Sequence, residues 1–215
     1  MKISLKAFPK IYFVFLVLSI FFILSGCGGF GGSEKKIDYY TLEYSAPLPA
    51  GSNNLPFVIN IGRFKSPLYN SDKIVYRIND FQTNEYVYHR WEKDPARLVS
   101  YFLFRDLKNS GLFKGVFTFD AGFAATHSVS GTVDGFFEDD RGKTWEAVLS
   151  LDIVLMAENE PDLSRKIIFQ RKYATRKVCA KKNPKALAEA MSKAMHELSG
   201  QIINDIYKSL SEKVQ

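Results

Sequence analysis

Residues 144–156 read Thr-Trp-Glu-Ala-Val-Leu-Ser-Leu-Asp-Ile-Val-Leu-Met, and their alternation decides the fold. Trp145, Ala147, Leu149, Leu151 and Ile153 fall on one side and the residues between them on the other. Successive strand side chains point to opposite faces, so this period of two marks a half-buried strand. On its N-terminal side, Ser128–Phe137 is a second long strand, separated by the polar turn Glu138-Asp139-Asp140-Arg141 and Gly142. On its C-terminal side, a loop containing Pro161 leads to a third, Lys166–Val178. Long strands joined by short polar turns imply an antiparallel meander.

Two helices flank these strands. Asp94 and Asn183 are N-cap candidates, each followed by a proline suited to the first helical position. After Asp94, Leu98, Val99, Phe102, Leu103 and Leu107 form one apolar stripe, and Gly111 is the stop, so a helix is expected over Pro95–Ser110. After Asn183, Leu187, Met191, Ala194, Leu198, Ile202, Ile206 and Leu210 recur at steps of three and four. Lys185, Glu189, Lys193, Glu197 and Lys208 take the far side, so a surface helix is expected to Ser211. Earlier in the chain, Asp38–Tyr44, Phe57–Ile61, Lys73–Ile78 and Glu85–His89 read as shorter strands, the last two as a hairpin turning at Asn79-Asp80; Gly115–Phe119 is a further one. The expected architecture is α/β: a single domain, a mixed β-sheet with a long antiparallel meander, and two main amphipathic helices packed on it.

The N-terminus carries a different signal. Lys2, Lys6 and Lys10 precede an apolar stretch, Ile11–Leu24, broken only by Ser19. That is shorter than the roughly 20 residues a membrane span needs and fits the about 7–15 of a signal-peptide core. It ends in Leu24-Ser25-Gly26-Cys27, a pattern that resembles a lipobox. Residues 1–26 are therefore expected to be a lipoprotein signal peptide, with Cys27 the acylated first residue of the mature chain. Several acyl chains, palmitate among them, hold a protein on a membrane where one would not. Gly28–Ser33 contains four glycines, and 27–36 reads as a flexible tether before a domain at 37–215. Gly28 stands where an aspartate would, by resemblance to other lipoproteins, retain the protein at the inner membrane. In a Gram-negative host this implies the periplasmic face of the outer membrane.

Composition excludes several classes. Removing residues 1–26 from 215 leaves 189, enough for one core, and takes three of 29 basic residues but no acid, so the net charge falls from +6 to +3. A balance that weak gives no reason to expect nucleic acid. With Cys27 acylated, Cys179 stands alone and no intramolecular disulfide forms; it is either a small buried hydrophobe or a free thiol. His89, His127 and His196 lack metal-ligand spacing, and no nucleophile motif or phosphate-binding loop is present. No cofactor, metal or catalytic residue is expected.

Three features are candidates for contact with a partner or lipid. Arg165, Lys166, Arg171, Lys172, Arg176, Lys177, Lys181 and Lys182 form a basic run over 165–182. It is either a solvated strand edge or a surface for anionic headgroups or an acidic partner, through Arg171, Lys172 and Arg176. Trp91, after Tyr86, Tyr88, His89 and Arg90, either anchors the first helix to the sheet or sits at an interface. The aromatic-rich stretch from Phe113 through Phe117, Phe119 and Phe123 is mostly core, with a part available for contact.

The order of local motifs resembles the auxiliary lipoproteins of ABC-type lipid-transport systems, the PqiC-like group. The resemblance rests on Tyr39-Tyr40-Thr41-Leu42, then Ile61-Gly62-Arg63-Phe64 with Pro67 and Tyr69, then Ile74-Val75-Tyr76-Arg77. It continues through Tyr86–Trp91 with Pro95 and Leu98, Gly111-Leu112-Phe113, Gly131 and Phe136, and Trp145-Glu146-Ala147. Glu92, where alanine is common, and the heavy basic run depart from the pattern. The resemblance implies a non-catalytic subunit that works beside an MCE-domain protein and an ABC permease and ATPase, docking the MCE tunnel at the outer membrane as a homo-oligomer. The alternatives are a structural or assembly lipoprotein of the envelope, or an envelope enzyme whose site assembles in space.

Overall fold

The structure is a computed structural model that describes residues 35–49, 51 and 53–213. Contacts divide the chain into two units, Met1–Lys36 and Ile37–Gln215, and all the described strands and helices belong to the second. Cys27, the signal segment and all but the end of the tether lie outside the described residues.

In chain order the elements are β1 (Asp38–Tyr40), β2 (Leu55–Ile61), β3 (Lys73–Arg77), β4 (Thr83–Trp91) and α1 (Pro95–Asn109). Next come β5 (Phe113–Thr118), a 3-10 turn at Phe119–Ala121, β6 (His127–Asp139) and β7 (Glu146–Ala157). The short α2 (Leu163–Lys166), β8 (Ile167–Val178) and α3 (Pro184–Ser211) complete the domain. The strands make one mixed eight-stranded sheet.

The meander read from the sequence is its backbone. β6 and β7 pair antiparallel from His127↔Ala157 to Asp139↔Glu146, and β7 and β8 from Glu146↔Val178 to Met156↔Ile167. Ala147, Leu149, Leu151, Ile153 and Leu155 of β7 are wholly buried, while the residues between them are half-exposed. The buried face lies under α3, whose Leu187, Met191, Ala194, Leu198, Ile202, Ile206 and Leu210 are also inaccessible to solvent. Each buried leucine or isoleucine contributes roughly 1.5–3 kcal/mol, so this layer dominates the stability.

On its other edge β6 is shared. Its first residues pair parallel with β2, from Ile59↔His127 to Ile61↔Val129, and β2 continues to β5. Its last residues pair parallel with β3, at Tyr76↔Glu138 and Arg77↔Asp139, and β3 continues to β4 and β1. Between the two, Lys65 donates to the Gly131 carbonyl (3.1 Å) and accepts from the Val133 amide (2.8 Å). The sheet therefore forks into a β2–β5 arm and a β3–β4–β1 arm.

Both helices begin as their caps require. Asp94 accepts the Arg97 amide at 3.1 Å, and Asn183 accepts the Ala186 amide at 2.8 Å. Gly111, with φ +65°, supplies the left-handed residue that ends α1. Some strand limits differ from the sequence reading. The first strand stops at Tyr40, because the chain then leaves the sheet to bury Leu42 and to run between the helices, where Tyr44 stacks on Phe102 at 5.3 Å and the Glu43 amide meets Ser192 Oγ at 3.0 Å. The start of the third meander strand is the helical turn α2, capped by Asp162 through the Ser164 amide at 2.9 Å.

Candidate functional site

The end of β6 holds two of the three buried carboxylates among the described residues, Glu138 and Asp139; the third, Asp106 of α1, is bonded by Arg105 and by the Tyr44 hydroxyl. The sequence places Glu138-Asp139-Asp140 in a turn; β6 instead extends to Asp139, because β3 pairs with it to that point. Glu138 is 1% exposed, and the Tyr86 hydroxyl donates to its carboxylate at 3.1 and 3.3 Å. Burial, with the Asp140 carboxyl beside it, pushes the Glu138 carboxyl up to about 7. Asp139, also buried, is held well below the usual carboxylate range by the Arg141 guanidinium, with Arg176 assisting. Lys182 pairs with Asp140 and lies 5.2 Å from the Trp145 ring centroid. Arg77 stacks at 4.2 Å over the Phe137 ring. Every carboxylate here has a cation or hydroxyl partner, so the cluster ties the sheet's fork to the β6–β7 turn.

Two cavities lie elsewhere, and the three carboxylates line neither. The first, about 620 Å³, runs between the first turns of α1 and the segments after β2 and β5, with Arg63, Arg97, Tyr101 and Phe119 at its surface. Its charges are already paired: Arg63 bonds Asp120 at 2.9 Å and sits 5.0 Å from the Phe119 ring centroid, and Arg97 meets Asp94 at 3.2 Å. The second, about 580 Å³, lies along α3 between Tyr44, Pro47, Lys193 and Asn204. Among the described residues no three His, Cys, Asp or Glu side chains are placed to share a metal ion. No described helix is long and apolar enough to cross a membrane.

The residues singled out in the sequence are dispersed. Trp91, 1% exposed, packs edge-on against Phe136 at 5.0 Å, and Phe113 is 6% exposed. Both belong to the core rather than to a partner- or lipid-facing surface: Trp91, at the end of β4, is closed against Phe136 of β6, and Phe113, at the start of β5, lies on the strand that α1 packs against. Arg171, Lys172 and Arg176 do lie on the sheet's edge strand, but their charge is spent within the chain. Arg171 pairs with Asp205, Lys172 with Asp134 at 3.6 Å, and Arg176 with both Asp139 and Glu146. Lys177 likewise pairs with Glu197. Along β8 the basic run is thus a strand edge with acids built opposite it, while Lys166 and Lys181 at its two ends have no acidic partner among the described residues. Cys179 is buried, and desolvation pushes its thiol up to about 11, as befits a small hydrophobe. His127 is buried against Phe57 with its ring nitrogen at 2.9 Å from Thr126, and burial lowers its pKa.

The sequence reading missed Tyr86 as the partner of Glu138 and the groove beside Arg63. Neither is local: Tyr86 and Glu138 are 52 residues apart, and Arg63 and Asp120 are 57 apart.

The domain is a two-layer α/β fold whose buried charges neutralise one another and which carries grooves and exposed aromatic side chains. The chain belongs to the family of ABC-type transport auxiliary lipoprotein components, whose family model matches residues 40–203. Among solved structures, it is similar to protein XCC0632 from Xanthomonas campestris, described as family DUF330, with a TM-score of 0.72 and 13% identity over 84% of this chain and 99% of that one. A second, an uncharacterized protein, matches with a TM-score of 0.61 and 16% identity over 80% of this chain and 99% of that one. At such identities the likeness shows the fold. No curated protein matches this chain.

Proposed function

We propose that this protein is the lipid-anchored, non-catalytic subunit of an MCE/ABC-type intermembrane lipid transport system. It is held by acylated Cys27 at the periplasmic face of the outer membrane, where it docks the MCE tunnel. The observation that carries the reading is the family match over residues 40–203 preceded by the lipobox Leu24-Ser25-Gly26-Cys27. The domain supplies surfaces rather than chemistry, and Gly28 after the cysteine favours export to the outer membrane. The ABC permease and ATPase supply the energy, and a homo-oligomer of this chain receives the tunnel. Residues 27–36 are the tether between lipid and domain.

The test is crosslinking in a Gram-negative host of the full chain carrying an affinity tag after Gln215, followed by purification from membranes and mass spectrometry, with Cys27→Ala as control. The expected outcome is an MCE-domain protein and an acylated Cys27 in the wild type, and loss of the membrane-bound form in the variant. Recovery of assembly machinery or peptidoglycan fragments alone replaces this reading with that of a structural lipoprotein.

A further inference from the structure

The most exposed large apolar side chain of the described residues is Phe81, at 101% of its reference area, and Ile78 beside it is 43% exposed. Phe81 sits at the tip of the β3–β4 hairpin, and the tip is braced. Asn79 Oδ1 accepts the Phe81 amide at 3.1 Å, and the Asn79 side-chain amide donates to Gln82 Oε1 at 3.1 Å. The Ile78 amide donates to the Gln82 carbonyl at 3.3 Å, and Arg141 holds Asp80 at 2.6 Å. An aromatic ring is thus displayed by a fixed turn, with no protein packing to account for it.

Strand directions gather more at this end. β3 and β6 finish here side by side, at Arg77↔Asp139, and Glu146↔Val178 brings the end of β8 to the same level. The β6–β7 turn therefore adds Lys143, and the segment after β8 adds Val178 (59% exposed) and Lys181. Lys143 and Lys181 are exposed and have no acidic partner among the described residues, whereas Asp80, Asp139 and Asp140 are each paired with Arg141, Arg176 or Lys182. The surface that results is one of apolar tips with surplus positive charge. That is the pairing that suits a bilayer with anionic headgroups, where apolar side chains enter the interface and lysines meet phosphate.

The chain's own path favours one end over the other. β1 runs parallel to β4, with Asp38 level with His89. β4 starts at Thr83, next to the tip, so β1 is entered from the tip's side, and the hairpin extends about 20 Å beyond its first residue. Residues 28–37 can span at most about 35 Å. If Cys27 is acylated, the bilayer lies within that reach of Asp38, and the hairpin spans much of it on the side from which β1 is entered.

We propose that the end of the sheet formed by the β3–β4 tip and the β6–β7 turn lies on the phospholipid bilayer, with Phe81 inserted among the headgroups and Lys143 and Lys181 against anionic phosphates. The proposal rests on the acylation of Cys27 stated above.

The experiment uses the full-length lipoprotein, purified with its lipid and reconstituted into vesicles of phosphatidylethanolamine and phosphatidylglycerol, with a fraction of the acyl chains brominated near the headgroup. Phe81→Trp is compared with Leu163→Trp. Leu163 is 80% exposed in α2, at the far end of the β7–β8 hairpin and about 40 Å away. The wild type supplies the background of Trp91 and Trp145, and mass spectrometry of Cys27 reports its acylation. The expected result is a blue-shifted emission at position 81 that is quenched by bromine, with position 163 unaffected. Equal quenching at both positions, or none at 81 on an acylated protein, overturns the proposal while leaving the anchor intact. Protection of position 81 only when an MCE-domain protein is added also overturns it and makes the tip a protein-docking surface. An unmodified Cys27 overturns the anchored reading and this orientation with it.

Discussion

Two hairpins leave the two edges of β6, and they are built to opposite ends. β7–β8 pairs along the whole length of the meander and buries a continuous apolar row under α3. β3–β4 touches β6 only at Tyr76 and Arg77, has a register irregularity between Lys73 and Val75, and leaves Val87, Tyr88, Ile78 and Phe81 exposed. Both use strand-forming residues. The difference is what covers them: a helix of 28 residues lies across the first, while the second runs past the edge of the helical layer. The first hairpin holds the fold together, and the second is free to serve it as a surface.

That division is open to direct test. The largest effect is expected from Leu151→Ala in β7, which is wholly buried and would leave a cavity costing about 2–5 kcal/mol, whereas Val87→Ala in β4, 70% exposed, should change stability by no more than about 0.5 kcal/mol. Urea denaturation of the two variants checks the contrast; similar losses would break it. Next comes pH, acting where the two hairpins meet. Glu138 binds its proton more tightly in the folded chain, at about 7 against 4.5, so its contribution is fully present below pH 4.5 and is lost as pH rises through 7. Asp139 is shifted the other way, so its contribution is present above the ordinary aspartate range and is lost as pH falls. Stability should therefore peak between these limits and fall by about 2–3 kcal/mol from pH 5 to 8, a fall that Glu138→Gln should largely abolish in thermal melts.

A smaller effect is expected at Gly131, where β6 pairs with β7. A Cβ on Gly131 would lie 2.0 Å from the Asp152 carbonyl oxygen of the neighbouring strand, so Gly131→Ala must part the strands and should cost about 1–3 kcal/mol. Hydrogen exchange should show the loss of protection centred on the pairing of Gly131 with Ile153 rather than on β3–β4. The smallest effect belongs to Lys172, 63% exposed and 3.6 Å from Asp134. Lys172→Ala should change stability by less than about 0.5 kcal/mol, within the scatter of a chemical-denaturation curve.

How far the sequence could be read differs between the same two regions. In the meander, the alternation of Ala147 to Ile153 and the stripe from Leu187 to Leu210 each repeat often enough to declare their buried face. The caps Asp94 and Asn183 and the stop at Gly111 act within a few residues, so these helix limits were legible to within a residue. Around the fork the signals fail. Leu42 and Tyr44 alternate as a strand would, yet helices rather than a neighbouring strand bury them. Trp91 and Phe113 look equally suited to an interface and to a core until Phe136 is seen to close the one and α1 to pack on the strand of the other. The basic run shows its cations in order but not the acids Asp134, Asp139, Glu146, Glu197 and Asp205 that answer them.

By itself the sequence determined the α/β class, the meander, both long helices and the order of motifs that places the chain among the transport auxiliary lipoproteins. These rest on periodicity and capping, which are interactions between residues a few positions apart. Only the tertiary structure decided that β6 is shared between two arms, that Glu138 is buried against Tyr86, that the basic edge is neutralised, and that Phe81 stands at the end from which β1 is entered. Each of these joins side chains or strand ends tens of residues apart. Their burial and charge depend on which surfaces meet when the sheet closes under its helices, and no local pattern encodes that meeting.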